Sequence, residues 1–142
     1  MTDNLKKAKR TLDEGSHTLV LCSDTQTYTD TARGVAPLLS FVDNGKSLRG
    51  FCAADKVVGA GAAYLYVLLG AEEVYANVIS QRAKEILDSA AIPLFYGEIV
   101  DHIVNRQKNG PCPIEAAVSG AADEHDALVL IKTKLKELSK QK

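Results

Sequence analysis

The spacing of apolar positions changes along the chain between the three to four residues typical of helices and the two typical of strands. Leu5, Ala8 and Leu12 lie on one stripe among charged side chains, which predicts an amphipathic helix. Residues 74–79 alternate between apolar and polar, which predicts a strand. Such patterns predict helices over residues 4–14, 37–43, 56–69, 81–90, 99–108, 113–119 and 124–139, and strands over residues 18–22, 25–29, 47–53, 74–79 and 94–97.

Helices and strands alternate over the chain without a repeat or a linker. This order predicts a single domain over residues 1–142, built as a three-layer α/β/α sandwich around a mixed sheet of about four or five strands. The helix over residues 56–69 is rich in alanine and glycine, and Asp55 is expected to cap its start. Each glycine costs about 1 kcal/mol of helix propensity relative to alanine, so we expect close packing on the sheet to offset that loss.

The composition narrows the class of protein. The 142 residues are 46% hydrophobic and 25% charged, as in one globular domain. A net charge of -1 and 6% aromatic residues give no electrostatic reason to expect nucleic acid or a membrane as partner. We also expect a cytoplasmic protein, because no apolar run reaches the ~18 residues of a membrane span and no signal peptide is evident.

The three cysteines have no metal-binding or disulfide pattern. Cys22, Cys52 and Cys112 are odd in number and lack CxxC spacing, which argues against a disulfide framework and against a four-cysteine zinc site. We therefore expect free thiols, no bound metal and no cofactor. For Cys22 a buried structural role is the expectation, because free cysteine usually packs as a small hydrophobe.

Two predicted helix starts each bring a thiol and a carboxylate close to free backbone N–H groups. The first carries Cys52, Asp55 and Lys56, and the second carries Cys112 and Glu115. Helix N-termini attract anions and lower thiol pKa values. Because helices that follow strands in α/β domains begin at one edge of the sheet, we expect both starts to converge on one cleft.

Two uses of this cleft stay open. In an enzyme, Cys52 or Cys112 would be the nucleophile, with Asp55 or Glu115 as acid or base and Lys56 as a partner for an anion. In a binding or regulatory module, the same cleft would hold a small nucleotide-like or anionic metabolite without turnover. An interaction subunit that acts through the terminal helix is a third hypothesis, and a homo-oligomer is also left open.

Side chains beside the predicted chain breaks are further candidate ligand contacts. Arg33 and Arg49 each precede a glycine, and Asn105 and Arg106 precede the break at residues 109–110. A guanidinium group binds phosphate or carboxylate with two parallel hydrogen bonds. The alternative for each of these residues is an ordinary solvated side chain.

Residues 52–63, followed by Pro111-Cys112-Pro113-Ile114-Glu115, resemble the cytidine deaminase-like superfamily. In those enzymes the two helix starts carry H-x-E and P-C-x-x-C, which together bind the catalytic zinc. In this chain Pro111 and Cys112 match the start of P-C-x-x-C, and Glu115 occupies the position of its second cysteine. Asp55-Lys56-Val57 occupies the position of H-x-E. One thiolate with two carboxylates matches no common zinc site.

More specifically, the chain resembles the domain of unknown function 1893 family over about residues 5–140. That family is a branch of the deaminase fold that lacks the zinc signature. The resemblance implies a deaminase-type sandwich with a metal-free cleft, and it assigns no substrate.

Overall fold

The computed structural model describes residues 1–32, 34–104 and 110–140. The strands in these parts of the chain are β1 (Leu19–Cys22), β2 (Thr27–Asp30), β3 (Cys52–Val58), β4 (Glu73–Ser80) and β5 (Leu94–Val100). The helices are α1 (Asp3–Glu14), α2 (Ala36–Asp43), α3 (Ala60–Leu69), α4 (Gln81–Ser89), α5 (Pro113–Ala117) and α6 (Glu124–Lys140).

The five strands form one mixed sheet in the spatial order β2-β1-β3-β4-β5. β1 runs antiparallel to both β2 and β3, whereas β3, β4 and β5 are parallel. We call the side of the sheet where these three parallel strands end the carboxyl edge, and the side where they begin the amino edge. Helices that follow the parallel strands begin at the carboxyl edge, so this edge is where ligand sites of α/β proteins are usually built.

Helices cover both faces of the sheet. α1 packs on one face, where Leu5, Ala8 and Leu12 are buried against the side chains of Val20 and Ala54. The other face carries α2, α3, α4 and α6, whose apolar side chains form the larger core with the sheet. The predicted three-layer α/β/α sandwich with a mixed sheet is therefore confirmed, as is the burial of the alanine-rich helix α3.

The predicted start of the central helix is wrong. Asp55 and Lys56 belong to β3, which continues to Val58, and α3 begins at Ala60 after Gly59. Asp55 pairs with Leu19 of β1 and with residue 76 of β4, so two neighbouring strands hold this stretch extended. Asp55 therefore does not cap α3.

Two other boundaries differ from the sequence-based expectation. The strand predicted from residue 47 begins only at Cys52, because the preceding Gly50 turns the chain with φ +83°. The helix predicted over residues 99–108 is wrong at its start, since Ile99 and Val100 extend β5 alongside β4. Residues 105–109 lie outside the described parts of the chain.

Gly61 allows α5 to approach the buried helix α3. A Cβ atom at this position would lie 2.6 Å from Cγ2 of Ile114, which is closer than side-chain atoms pack. The glycine content of α3 is thus explained in part by a close contact with α5. Among the described helices, none is long and apolar enough to cross a membrane.

Candidate functional site

Glu115 joins three segments at the carboxyl edge. Its Oε2 accepts a hydrogen bond from the backbone N–H of Ala60 at 2.8 Å and another from the hydroxyl of Ser80. Its Oε1 accepts from the N–H of Ile103 at 2.6 Å. The carboxylate therefore occupies the N-terminus of α3, where a negative charge is stabilised by the helix dipole and by the unpaired N–H groups.

Ser80 connects this carboxylate to the next helix. It is the N-cap of α4 and accepts from the N–H of Ala83 at 3.1 Å while its hydroxyl proton goes to Glu115. Gly59 leaves room for the carboxylate, because a Cβ there would lie 3.2 Å from Glu115 Oε2. Glu115 thus ties the starts of α3 and α4 to the segment that follows β5.

Cys112 lies beside the same segment. Its backbone N–H donates to the carbonyl of Ile103 at 2.8 Å, while the N–H of Ile103 donates to Glu115. Cys112 is the N-cap residue of α5, and the residue is partly exposed. The structure therefore brings Cys112 and Glu115 together at the carboxyl edge.

Cys52 lies at the opposite, amino edge of the sheet. It opens β3, and the length of that strand separates it from the carboxyl edge by roughly 20 Å. Its thiol donates to Glu73 Oε1 at 3.6 Å and lies 3.5 Å from the hydroxyl of Thr2. Burial raises the pKa of this thiol above its ordinary value, and the nearby Glu73 charge adds to the shift.

Asp55 occupies a third position, half-buried in β3 below α3. Tyr66, which is fully buried, donates its hydroxyl to Asp55 Oδ2 at 2.7 Å, and the N–H of Val57 donates to Oδ1 at 3.3 Å. Burial raises the pKa of the Asp55 carboxyl to about 7 although these hydrogen bonds favour its charged form. The same burial, together with the charge of Asp55, raises the pKa of the Tyr66 phenol well above its usual value.

The predicted basic contacts are dispersed. Lys56 is exposed and follows Asp55 in the strand, where successive side chains point to opposite faces of the sheet. Arg49 is exposed in the turn before β3, at the amino edge, with its Cγ beside Gly70. Arg33, Asn105 and Arg106 lie outside the described residues.

The five residues predicted to share one cleft therefore lie in three places. Cys112 and Glu115 are at the carboxyl edge, Asp55 and Lys56 are inside β3, and Cys52 is at the amino edge. A groove of about 530 Å³ runs past Cys52, but Asp3, Asp24, Glu72 and Glu73 line it, and no basic side chain of the described residues does. That groove is unsuited to an anionic ligand.

The residues around Glu115 do not fit the zinc of a deaminase. The start of α3 consists of the N-cap residue Gly59 followed by Ala60 and Gly61, whose side chains offer no ligand atom. The Glu115 carboxylate already accepts from three donors of the chain itself, and Cys112 is the remaining thiol at this edge. Among the described residues, no three Cys, His, Asp or Glu side chains come together in a metal-binding arrangement.

Comparison with known proteins identifies the family. A family model for the domain of unknown function DUF1893, also described as TM1506, matches residues 7–135. The chain belongs to the DUF1893 family. The family-level resemblance seen in the sequence is thus confirmed, and the matched range contains every residue predicted for the site.

A solved structure of a DUF1893 family protein from Thermotoga maritima has the same fold. It is 21% identical to this chain, and the match covers 96% of this chain and 92% of that chain with a TM-score of 0.83. At this identity the similarity shows the DUF1893 fold alone. No curated protein matches the chain.

Proposed function

We propose that this DUF1893 chain is a metal-free module of deaminase-like architecture that binds a small nucleotide-like metabolite without turning it over. The observation that carries the proposal is the position of Glu115. In zinc deaminases, two helix starts hold the catalytic metal. Here a carboxylate of the chain itself accepts from the first N–H of α3, that of Ala60, and from the N–H of Ile103.

The placement of the reactive groups supports binding without turnover. Covalent catalysis needs a nucleophile within hydrogen-bond reach of its base. Cys52 is buried, its pKa is raised, and it lies at the opposite edge from Glu115. Glu115 is occupied by Ala60, Ser80 and Ile103, so it is not free to carry a proton to a substrate.

Asp55 is the candidate contact for the ligand. A half-buried carboxyl with a raised pKa and no cationic partner among the described residues is more typical of a binding or reaction site than of a purely structural one. Its oxygens have acceptor capacity beyond the bonds from Tyr66 and Val57. The N–H groups of a nucleobase would match that capacity, whereas Lys56, the next residue of β3, points to the opposite face of the sheet and does not share this site.

Thermal shift and calorimetry with a panel of nucleosides and nucleotides test this proposal. We expect at least one compound of the panel to stabilise the wild type. Asp55→Asn should bind that compound at least about tenfold more weakly, because it loses one charge-assisted hydrogen bond. Asp101→Asn, an exposed carboxyl on the segment after β5, is the matched control and should bind like the wild type. Binding that is equally strong in both variants would contradict the role of Asp55, and ammonia release from cytidine would contradict the absence of turnover.

A cysteine-dependent enzyme is the second candidate, and one observation favours it: Cys112 is partly exposed whereas Cys22 and Cys52 are buried. Iodoacetamide labelling of each cysteine, followed by mass spectrometry from pH 5 to 9, separates the two functions. A nucleophile at Cys112 would be labelled rapidly below pH 7. Under the binding proposal, Cys112 is not labelled rapidly below pH 7.

A further inference from the structure

We propose that the outer edge of β5 is a homodimer interface, at which two copies of this chain pair their β5 strands antiparallel about a twofold axis at Gly97. β5 is the last strand of the sheet order, so no described strand pairs with its outer edge. The free N–H and C=O groups of such an edge are a template for another strand. The dimer would join two sheets into one.

β5 has few of the features by which monomeric proteins usually protect a strand edge. Those features are short length, proline, bulges and charged side chains, above all lysine, and β5 carries one of them in the charge of Glu98. β5 is 7 residues long, contains no proline, lysine or arginine, and has no buried residue. Tyr96 is 40% exposed and Ile99 is 36% exposed, so the strand presents apolar surface as well as main-chain groups.

The hydrogen bonds to β4 show which groups of β5 face outward. The N–H of Val74 donates to the carbonyl of Pro93 at 3.0 Å, so Pro93 faces β4. In a parallel ladder, alternate residues direct both main-chain groups to the same neighbour. Leu94 and Tyr96 therefore direct their N–H and C=O groups away from the sheet, toward the proposed second copy.

The side chains favour a register centred on Gly97. This register places Tyr96 opposite Glu98 of the second copy and Leu94 opposite Val100, and the glycine leaves the axis free of side chains. Glu98 is the single charge of the strand. A register centred on Glu98 would instead set two carboxylates opposite each other, which is destabilising.

Sedimentation velocity over a concentration series tests the interface and its register. We expect the wild type to approach twice the 15.2 kDa mass of one chain. Tyr96→Asp faces Glu98 with a like charge at two symmetric places and should weaken self-association at least about tenfold. Tyr96→Lys faces Glu98 with an opposite charge and should retain the dimer. Val129→Asp, on the 62% exposed side chain of Val129 in α6, is the control and should leave the mass unchanged.

A charge exchange completes the test. The double variant Tyr96→Asp, Glu98→Lys should recover the dimer, because the new charges are again complementary across the axis. Circular dichroism checks that each variant is folded. We expect each to be folded, because the substituted positions are exposed. A wild type that stays monomeric at every concentration overturns the proposal, and so does a dimer that both Tyr96 variants disrupt equally or that neither affects. None of these outcomes depends on the proposed ligand.

Discussion

Replacing Asp55 with asparagine should change how the stability of the protein depends on pH. The carboxyl is half-buried, and its pKa is about 7 in the folded protein against 3.8 for an ordinary aspartate. Well below pH 3.8 the group is protonated in both the folded and the unfolded chain, so it does not make the stability depend on pH there. Between these two pKa values the unfolded chain ionises while the folded chain keeps its proton, so the free energy of unfolding falls as the pH rises.

The size of this loss follows from the two pKa values. At 1.36 kcal/mol per pKa unit, the shift from 3.8 to about 7 corresponds to about 4 kcal/mol, fully lost above pH 7. Asparagine keeps an oxygen for the Tyr66 hydroxyl and does not titrate. Relative to the wild type, Asp55→Asn should therefore become more stable by about 3 kcal/mol between pH 4.5 and pH 8.

Urea unfolding of both proteins at pH 4.5, 6 and 8 measures this difference. Asp101→Asn is again the control, because an exposed carboxyl should change stability by about 0.5 kcal/mol or less at each pH. Tyr66→Phe removes a hydrogen bond that favours the charged form, so it should raise the pKa of Asp55 further and enlarge the loss at pH 8. A difference between Asp55→Asn and wild type that stays flat from pH 4.5 to 8 would refute the argument that the carboxyl is desolvated.

Three further experiments test the contacts and the absence of zinc at the carboxyl edge. Glu115→Ala leaves the N–H groups of Ala60 and Ile103 without their acceptor and should lower the free energy of unfolding by about 3 kcal/mol, whereas Glu115→Gln should cost less, as urea unfolding would show. Gly61→Ala should destabilise by about 1–3 kcal/mol through its contact with Ile114, and in an Ile114→Ala background it should become neutral or stabilising, which a double-mutant cycle measures. Elemental analysis should find zinc well below one equivalent, and one equivalent that disappears in Cys112→Ser would contradict the conclusion that the residues around Glu115 do not fit a deaminase zinc.

Local sequence patterns predicted the elements whose signals are strong and short in range. The stripe of Leu5, Ala8 and Leu12 gave the correct place of α1, and the β-rich runs over residues 18–22 and 25–29 gave the places of β1 and β2. The start of α3 was misplaced because Asp55 has the side chain of a helix cap, although Val57 and Val58 favour a strand. Pairing with strands distant in sequence decides between these two signals, and a local pattern does not contain that pairing.

The candidate site was likewise predicted correctly where its residues are close in sequence and wrongly where they are distant. Cys112 and Glu115 were expected together and lie together, since a short segment with two prolines carries both. Cys52 was expected beside them because a helix was predicted to start close to it, and the extension of β3 removes that proximity. The sequence analysis missed Tyr66 and Ser80. The signal for Tyr66 was a buried phenol that needs a hydrogen-bond partner, and the signal for Ser80 was a serine between a strand and a helix.

The position of α1 over two thiols gives the protein an internal reporter of local opening. Cys22 and Cys52 face each other across β1 and β3 and are covered by the same helix, and Thr2 at its start contacts Glu73. Cys52 also lines the groove at the amino edge, so Cys22, which is fully buried, is the thiol that a reagent reaches when α1 leaves the sheet or when the whole chain unfolds. The rate of Cys22 labelling under native conditions, divided by the rate in the unfolded chain, therefore measures the equilibrium for undocking of α1. If that equilibrium constant exceeds the one for global unfolding, α1 detaches from the sheet as a separate cooperative unit while the larger core on the other face stays folded.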